Sequence, residues 1–220
     1  MRFDCSKRTD DPDGYTAGLD AAATAIAGGE LVVLPTDTVY GVAADAFSPE
    51  AVRSLLEAKG RGRDMPPPIL IGSAATLDAL AVEVPGWLRE MTTALWPGPL
   101  TVICRDQPSL NWDLGDTHQT VAVRVPADEV AIALLKVTGP LAVSSANVSG
   151  RPPATSIDDA EAMLGDSVAV YLDAGSSPGG VASTILDVTA ATPRILREGP
   201  IGLDVLHRFN NTIESLADSA

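Results

Sequence analysis

Short apolar runs recur along this chain with helical patterns between them, and that succession limits the fold more than any other feature. The runs are Leu31 to Leu34, "PILIG" (68–72), "LTVIC" (100–104), "TVAVRV" (120–125), "LAV" (141–143), "VAVYL" (168–172), "STILDV" (183–188) and "RILR" (194–197). Each is aliphatic or β-branched and reads as a strand. Helical patterns fall at 16–27, from Ser48 onward, and near 74–81, 86–95, 127–138 and 157–164. Strands interleaved with helices predict an α/β fold with one large sheet. Several strand spacings are too short for the helical crossover that parallel neighbours require, so the sheet is expected to be mixed.

Local signals sharpen the boundaries. The Ala-rich helix 16–27 stops at Gly28-Gly29. "SPE" (48–50) supplies an N-cap hydroxyl, a first-turn proline and an acid beside the positive helix end. Residues 1–15 read as a polar lead-in, 16–202 as one domain, and 203–220 as a tail, short helix or disordered. A chain of 220 residues is long enough to bury a substantial core in one domain.

Composition excludes several classes. A formal charge of −14 argues against a general nucleic-acid scavenger, which needs a basic stripe. His118 and His207 are the only histidines and Cys5 and Cys104 the only cysteines, too few for a zinc site or a Ser-His-Asp triad. No metal-ligating residues are therefore assigned. Two cysteines behind a start without an apolar h-region point to a reducing cytoplasm, and no apolar stretch reaches membrane-spanning length. Neither a Walker A loop nor a dinucleotide glycine fingerprint is present.

The scarce cations are unevenly placed. "AKGRGRD" (58–64) sets Lys59, Arg61 and Arg63 directly after the second helix, and the apolar face Val52, Leu55, Leu56 continues onto Lys59. Such a cluster either complements the negative helix end or cradles a polyanion, most simply a nucleotide triphosphate. In "TVAVRV", alternation puts Thr120, Ala122 and Arg124 on one face and three valines on the other. An arginine in so apolar a strand needs a structural carboxylate or an anionic ligand. "SSANVSG" adds Ser144, Ser145 and Asn147 at a strand end, "STILDV" adds Ser183 and Thr184, and "RILREGP" adds Arg197. The opening turn "PTDTVYG" presents Thr36, Asp37, Thr38 and Tyr40. Polar and cationic clusters without a histidine base suit positioning chemistry on phosphates.

Seven motifs in order, "PTDTVYG", "KGR" before a proline-rich apolar strand, "WPGPLT" (96–101), "TVAVRVP", "SSANVSG", "STILDV" and "LREGP", resemble the threonylcarbamoyl-AMP synthase (YrdC-like) family from about Gly28 to Pro200. The resemblance implies the YrdC-like twisted, largely mixed sheet flanked by helices, with a concave, positively charged cavity. It implies a nucleotidyltransferase converting L-threonine, bicarbonate and ATP to L-threonylcarbamoyl-AMP and pyrophosphate, the first step toward tRNA t6A. By motif, Thr38, Arg124 and Ser183 are expected to hold threonine. Lys59 and Arg61 are expected to be catalytic and, with Thr120, Ser145, Asn147 and Arg197, to hold ATP. Mg²⁺ is expected to ride on the phosphates, with no tightly bound organic cofactor. The implied partners are downstream tRNA threonylcarbamoyl transferase proteins, with only weak tRNA contact and no membrane.

The chain departs from the family pattern at "GRDM" (62–65), where many relatives have proline after K-x-R, and "PPPILIG" lacks a histidine found in some long forms. Twenty residues after Pro200 cannot make the second domain of the long forms, so a short form is expected. Two alternatives stay open. One is a non-catalytic RNA-binding module using the same concave surface. The other is an enzyme of the same fold acting on carbamoyl phosphate, as in hydrogenase maturation proteins.

Overall fold

The computed structural model describes residues 1–6 and 8–216. Its strands are β1 (Arg2–Asp4), β2 (Val32–Leu34), β3 (Gly41–Asp45), β4 (Ile69–Leu70), β5 (Ala81–Val82), β6 (Leu100–Asp106), β7 (Thr120–Arg124), β8 (Leu141–Ser145), β9 (Val170–Asp173), β10 (Thr184–Asp187) and β11 (Arg194–Arg197). The helices are α1 (Pro12–Ala27), α2 (Pro49–Ala58), α3 (Leu77–Leu80), α4 (Gly86–Leu95), α5 (Glu129–Thr138), α6 (Ile157–Leu164) and α7 (Leu203–Leu206).

All 11 strands join one sheet in the order β1-β9-β2-β3-β8-β4-β7-β6-β10-β11, with β5 paired to β6. The pairing is mixed: β4/β7 and β6/β10 are parallel, whereas β2/β3, β3/β8 and β6/β7 are antiparallel. Helices flank both faces. On one side α2, α4 and α6 bury Leu55, Leu88, Met91, Ile157 and Leu164 against Val33, Val42, Val102, Val121 and Val123. On the other, α1 and α5 bury Ala22, Ile26, Leu134 and Leu135 against Val32, Leu34, Val143 and Leu172. The two-residue period of each strand sorts its side chains between these layers: Val33 faces one core, Val32 and Leu34 the other.

The Ser48 capping signal acts as read, and two caps not singled out from the sequence join it. Ser48 Oγ accepts from the Ala51 amide at 3.2 Å, and Asp128 and Ser156 cap α5 and α6 in the same way. Differences have physical reasons. Residues 1–15 are more than a lead-in: Arg2–Asp4 pairs in parallel with β9, and α1 begins at Pro12 with Asp11 as its cap. A three-residue strand with one half-buried side chain carries no visible alternation. The hairpin partner β3, "GVAAD", is also absent from the sequence-based reading. Its Val42, Ala43 and Ala44 are fully buried on both faces, so the two-period contrast vanishes, and alanine disfavours a strand assignment. The 74–81 pattern divides into a 3₁₀ turn, α3 and the start of β5. The tail forms α7, after which Glu214 bridges to Arg194; the expected end of the tail, 217–220, lies outside the described residues. Among the described residues no helix is long and apolar enough to cross a membrane.

The layers do not match in extent, and this opens the site. α1 and α5 cover the sheet from β9 to β4. Beyond them, Thr101, Ile103, Thr120, Ala122, Arg124 and Ile185 of β6, β7 and β10 floor an open cavity, while their alternates Val102, Val123 and Leu186 stay in the core behind.

Candidate active site

That cavity has a volume of about 750 Å³. Arg61, Arg124 and Arg197 line it, and among the described residues no aspartate or glutamate does.

The turn after β2 forms one end. Thr36 Oγ1 donates to Val39 O at 2.6 Å and accepts from the Thr38 and Val39 amides. It also lies 3.0 Å from Thr38 Oγ1. Arginine can only donate, so Thr38 Oγ1 accepts from Arg124 Nη1 at 3.0 Å and gives its own hydrogen to Thr36. One lone pair of Thr38 then remains for a ligand, and it can only accept. Arg124 also donates from Nε to Gly98 O at 3.0 Å and from Nη2 to Asp37 Oδ1 at 2.5 Å. Three of its five N–H groups are thereby used, leaving two. Asp37 Oδ1 further accepts from the Ala127 amide, while its buried Oδ2 has no partner. Burial pulls the Arg124 pKa down and Asp37 opposes it. The alternatives for Arg124 thus converge: a carboxylate holds it, yet it still lines the cavity.

Ser183 and Arg197 also line the cavity. Arg197 donates from Nε to Ser183 O at 2.8 Å and from Nη2 to Ser183 Oγ at 3.0 Å, and Ser183 Oγ contacts Thr101 Oγ1 at 2.7 Å. Burial, then repulsion from Arg124, lowers the Arg197 pKa. Among the described residues Arg197 has no carboxylate partner.

The α2 end supplies Lys59 and Arg61. Lys59 is the C-cap of α2 and 0 % exposed. Its Nζ donates to Ser145 O and, at 2.7 Å, to Asn147 O. Burial, reinforced by Arg61, pushes its pKa down to about 8. Arg61 donates to Ser144 Oγ at 3.2 Å, and its buried Nε has no partner. Cations that repel one another and lack carboxylates are stabilised by a bound anion.

The family model described as Telomere recombination (Sua5/YciO/YrdC) matches residues 24–199. The chain belongs to this family. A Mycobacterium leprae protein named "Putative threonylcarbamoyl-AMP synthase" is 55 % identical over 201 residues, covering 91 % of this chain and 90 % of that one. A Pyrococcus abyssi protein named threonylcarbamoyl-AMP synthase is 37 % identical over 188 residues, covering 85 % of this chain but 55 % of its own length. The structure of P. abyssi Sua5 complexed with L-threonine superposes with a TM-score of 0.89 at 33 % identity, covering 98 % of this chain and 62 % of that one.

Within this Sua5/YciO/YrdC domain, Thr38, Arg61, Thr120, Arg124, Ser145, Ser183 and Arg197 all line the one cavity. Lys59 and Asn147 lie behind its wall: Asn147 Nδ2 donates to Val148 O and Arg151 O, leaving Oδ1 buried without a partner. Tyr40 is part of the cavity wall, held by its hydroxyl, which donates to Gly175 O at 2.6 Å and accepts from the Ala174 amide. Arg63, grouped by sequence with Lys59 and Arg61, turns outward to Asp113 and Asp116 and does not line the cavity. Thr101 escaped the sequence-based reading, although alternation in "LTVIC" sets it opposite the core residues Leu100, Val102 and Cys104. Ser177, donating to Thr36 O and Thr38 O, was also missed, and a loop-to-loop contact leaves no sequence signal.

Proposed function

We propose that this protein is a threonylcarbamoyl-AMP synthase, a nucleotidyltransferase that joins L-threonine, bicarbonate and ATP and releases pyrophosphate. The observation that carries this reading is the pair of cation sets in one cavity: Arg124 held with Thr38 at one end, and Arg61 with Arg197, neither of them in an ion pair among the described residues. In this reading the two free N–H groups of Arg124 take the carboxylate of threonine, and the lone pair of Thr38 accepts from its ammonium or hydroxyl. Ser183 completes that end. Arg61 and Arg197, with Thr120 and Ser145, take the phosphates of ATP, and Lys59 and Asn147 support them from behind.

Threonine's amine and bicarbonate combine with loss of water to a carbamate. A carbamate oxygen attacks the α-phosphorus as the bond to the bridging oxygen of pyrophosphate breaks, so the leaving oxygen carries away the developing charge. Arg61 and Arg197 stabilise that charge without reorganisation. The apolar floor of Ile103, Ala122 and Ile185 limits water around the labile carbamate. In this reading Mg²⁺ is carried on the phosphates; among the described residues no group of three His, Cys, Asp or Glu side chains converges to hold it. It would neutralise phosphate charge.

The same account makes the product the substrate of a tRNA-modifying transferase, which is the partner class we assign, in the cytoplasm. Contact with tRNA itself would be weak on a chain of net charge −14. The test is pyrophosphate release from ATP with threonine and bicarbonate withheld in turn. Release that needs both supports the synthase, and release that ignores threonine rejects it.

A further inference from the structure

The loop 107–119 joins β6 to β7, antiparallel neighbours that a turn of two to five residues could connect. Loops of this length in a compact domain are usually functional. It is held by specific contacts. Arg63 forks onto Asp113 through Nη1 at 3.0 Å and Nη2 at 2.8 Å, and its Nε lies 3.5 Å from Asp116. The Asp116 amide donates back to Arg63 O at 2.8 Å. Gly115, at φ +105°, lies so close that a Cβ there would come within 2.7 Å of Arg63 O. Trp112 stacks on Phe47 with ring centroids 5.7 Å apart.

Both clamped segments reach the cavity. The loop contributes Leu114 and Thr117, and the segment around Arg63 contributes Arg61, Met65 and Pro66. Arg63 itself remains outside. We propose that Arg63 is a positioning residue for the nucleotide: by clamping the 107–119 loop onto the 61–66 segment it sets the wall beside Arg61 and Thr120. The inference rests on the synthase reading, which gives Arg61 and Thr120 to ATP, and it extends that reading to a residue outside the site. Threonine's proposed contacts, Thr38, Arg124 and Ser183, lie in the turn after β2, at the end of β7 away from the 107–119 loop and just before β10, whereas the side-chain partners of Arg63 are Asp113 and Asp116. The clamp is solvent-exposed, so its effect is modest and falls on the population of the closed loop rather than on global stability.

The experiment measures apparent KM for ATP and for threonine by pyrophosphate release, together with ATP binding by calorimetry. The proteins are wild type, Arg63→Ala, Asp113→Ala, Gly115→Ala and the charge swap Arg63→Asp/Asp113→Arg, each with its Tm. The two alanine variants at the ion pair should raise KM for ATP about two- to fivefold with kcat and the threonine KM unchanged. Gly115→Ala, which separates the loop without altering charge, should do the same. The swap, which rebuilds the pair but sets a carboxylate beside Asp116, should restore part of the loss. The inference is overturned if the ATP values do not move, if both KM values rise together, or if the folded swap fails to recover. Wild-type protein that releases no pyrophosphate defeats the synthase reading instead, and calorimetric ATP affinity then still decides the role of Arg63.

Discussion

Lys59 offers a prediction whose size follows from its surroundings. An ammonium that is 0 % exposed, with two carbonyls and no carboxylate around it among the described residues, opposes folding while it carries its charge. Its pKa falls from 10.5 to about 8. That difference corresponds to about 3 kcal/mol of destabilisation when the group is protonated in both folded and unfolded chains, below pH about 8. Between about 8 and 10.5 the folded chain releases the proton while the unfolded chain keeps it. The unfolded state then binds more protons, so stability rises with pH in that window. Lys59→Met removes this titration together with the hydrogen bonds to Ser145 O and Asn147 O, whose loss does not vary with pH. Urea unfolding of both proteins at pH 7, 8, 9 and 10 should show wild type gaining about 2–3 kcal/mol relative to the variant across the range. A difference that stays flat with pH would refute the reasoning, because it would mean the ammonium is solvated or paired in solution. The same chemistry predicts that ATP binding near pH 8 takes up protons as the phosphates restore the charge on Lys59. Calorimetry in buffers of different ionisation enthalpy measures that uptake.

Other outcomes follow from the same contacts. Arg124→Ala should raise the apparent KM for threonine at least tenfold more than that for ATP, since a charge-assisted pair is worth about 1.5–3 kcal/mol; equal effects in steady-state kinetics would contradict the assignment. Tyr40→Phe leaves the Ala174 amide and Gly175 carbonyl without a side-chain partner and should cost about 1–3 kcal/mol in urea unfolding. Leu55→Ala, at a fully buried position between α2 and the sheet, should cost about 2–5 kcal/mol by the same method.

How far the sequence reveals this molecule depends on whether a feature is local. Caps are local: Ser48, Asp128 and Ser156 occupy the helix starts their residue types advertise. Alternation is local too, and it correctly divides Thr120, Ala122 and Arg124 from the valines of β7. β3 is hidden because full burial on both faces erases the polar contrast that marks a strand. At the site, the gathering of residues from β2, α2, β7, β8, β10 and β11 was legible only through the order of motifs. The directions of side chains were not. Nothing in "AKGRGRD" distinguishes an inward Lys59 from an outward Arg63; Asp113, fifty residues later, makes the difference by offering Arg63 a carboxylate at the surface. Likewise Asp37 answers what Arg124 needs only because β2 and β7 end at the same edge of the cavity.

The most direct test of the central claim, that one cavity joins threonine, bicarbonate and ATP at the α-phosphorus, is the mass of the product formed with carbon-13-labelled bicarbonate. The account predicts an AMP adduct containing threonine and the labelled carbon, with one pyrophosphate for each adduct. ADP and inorganic phosphate as products, or an AMP species without the label, would contradict it.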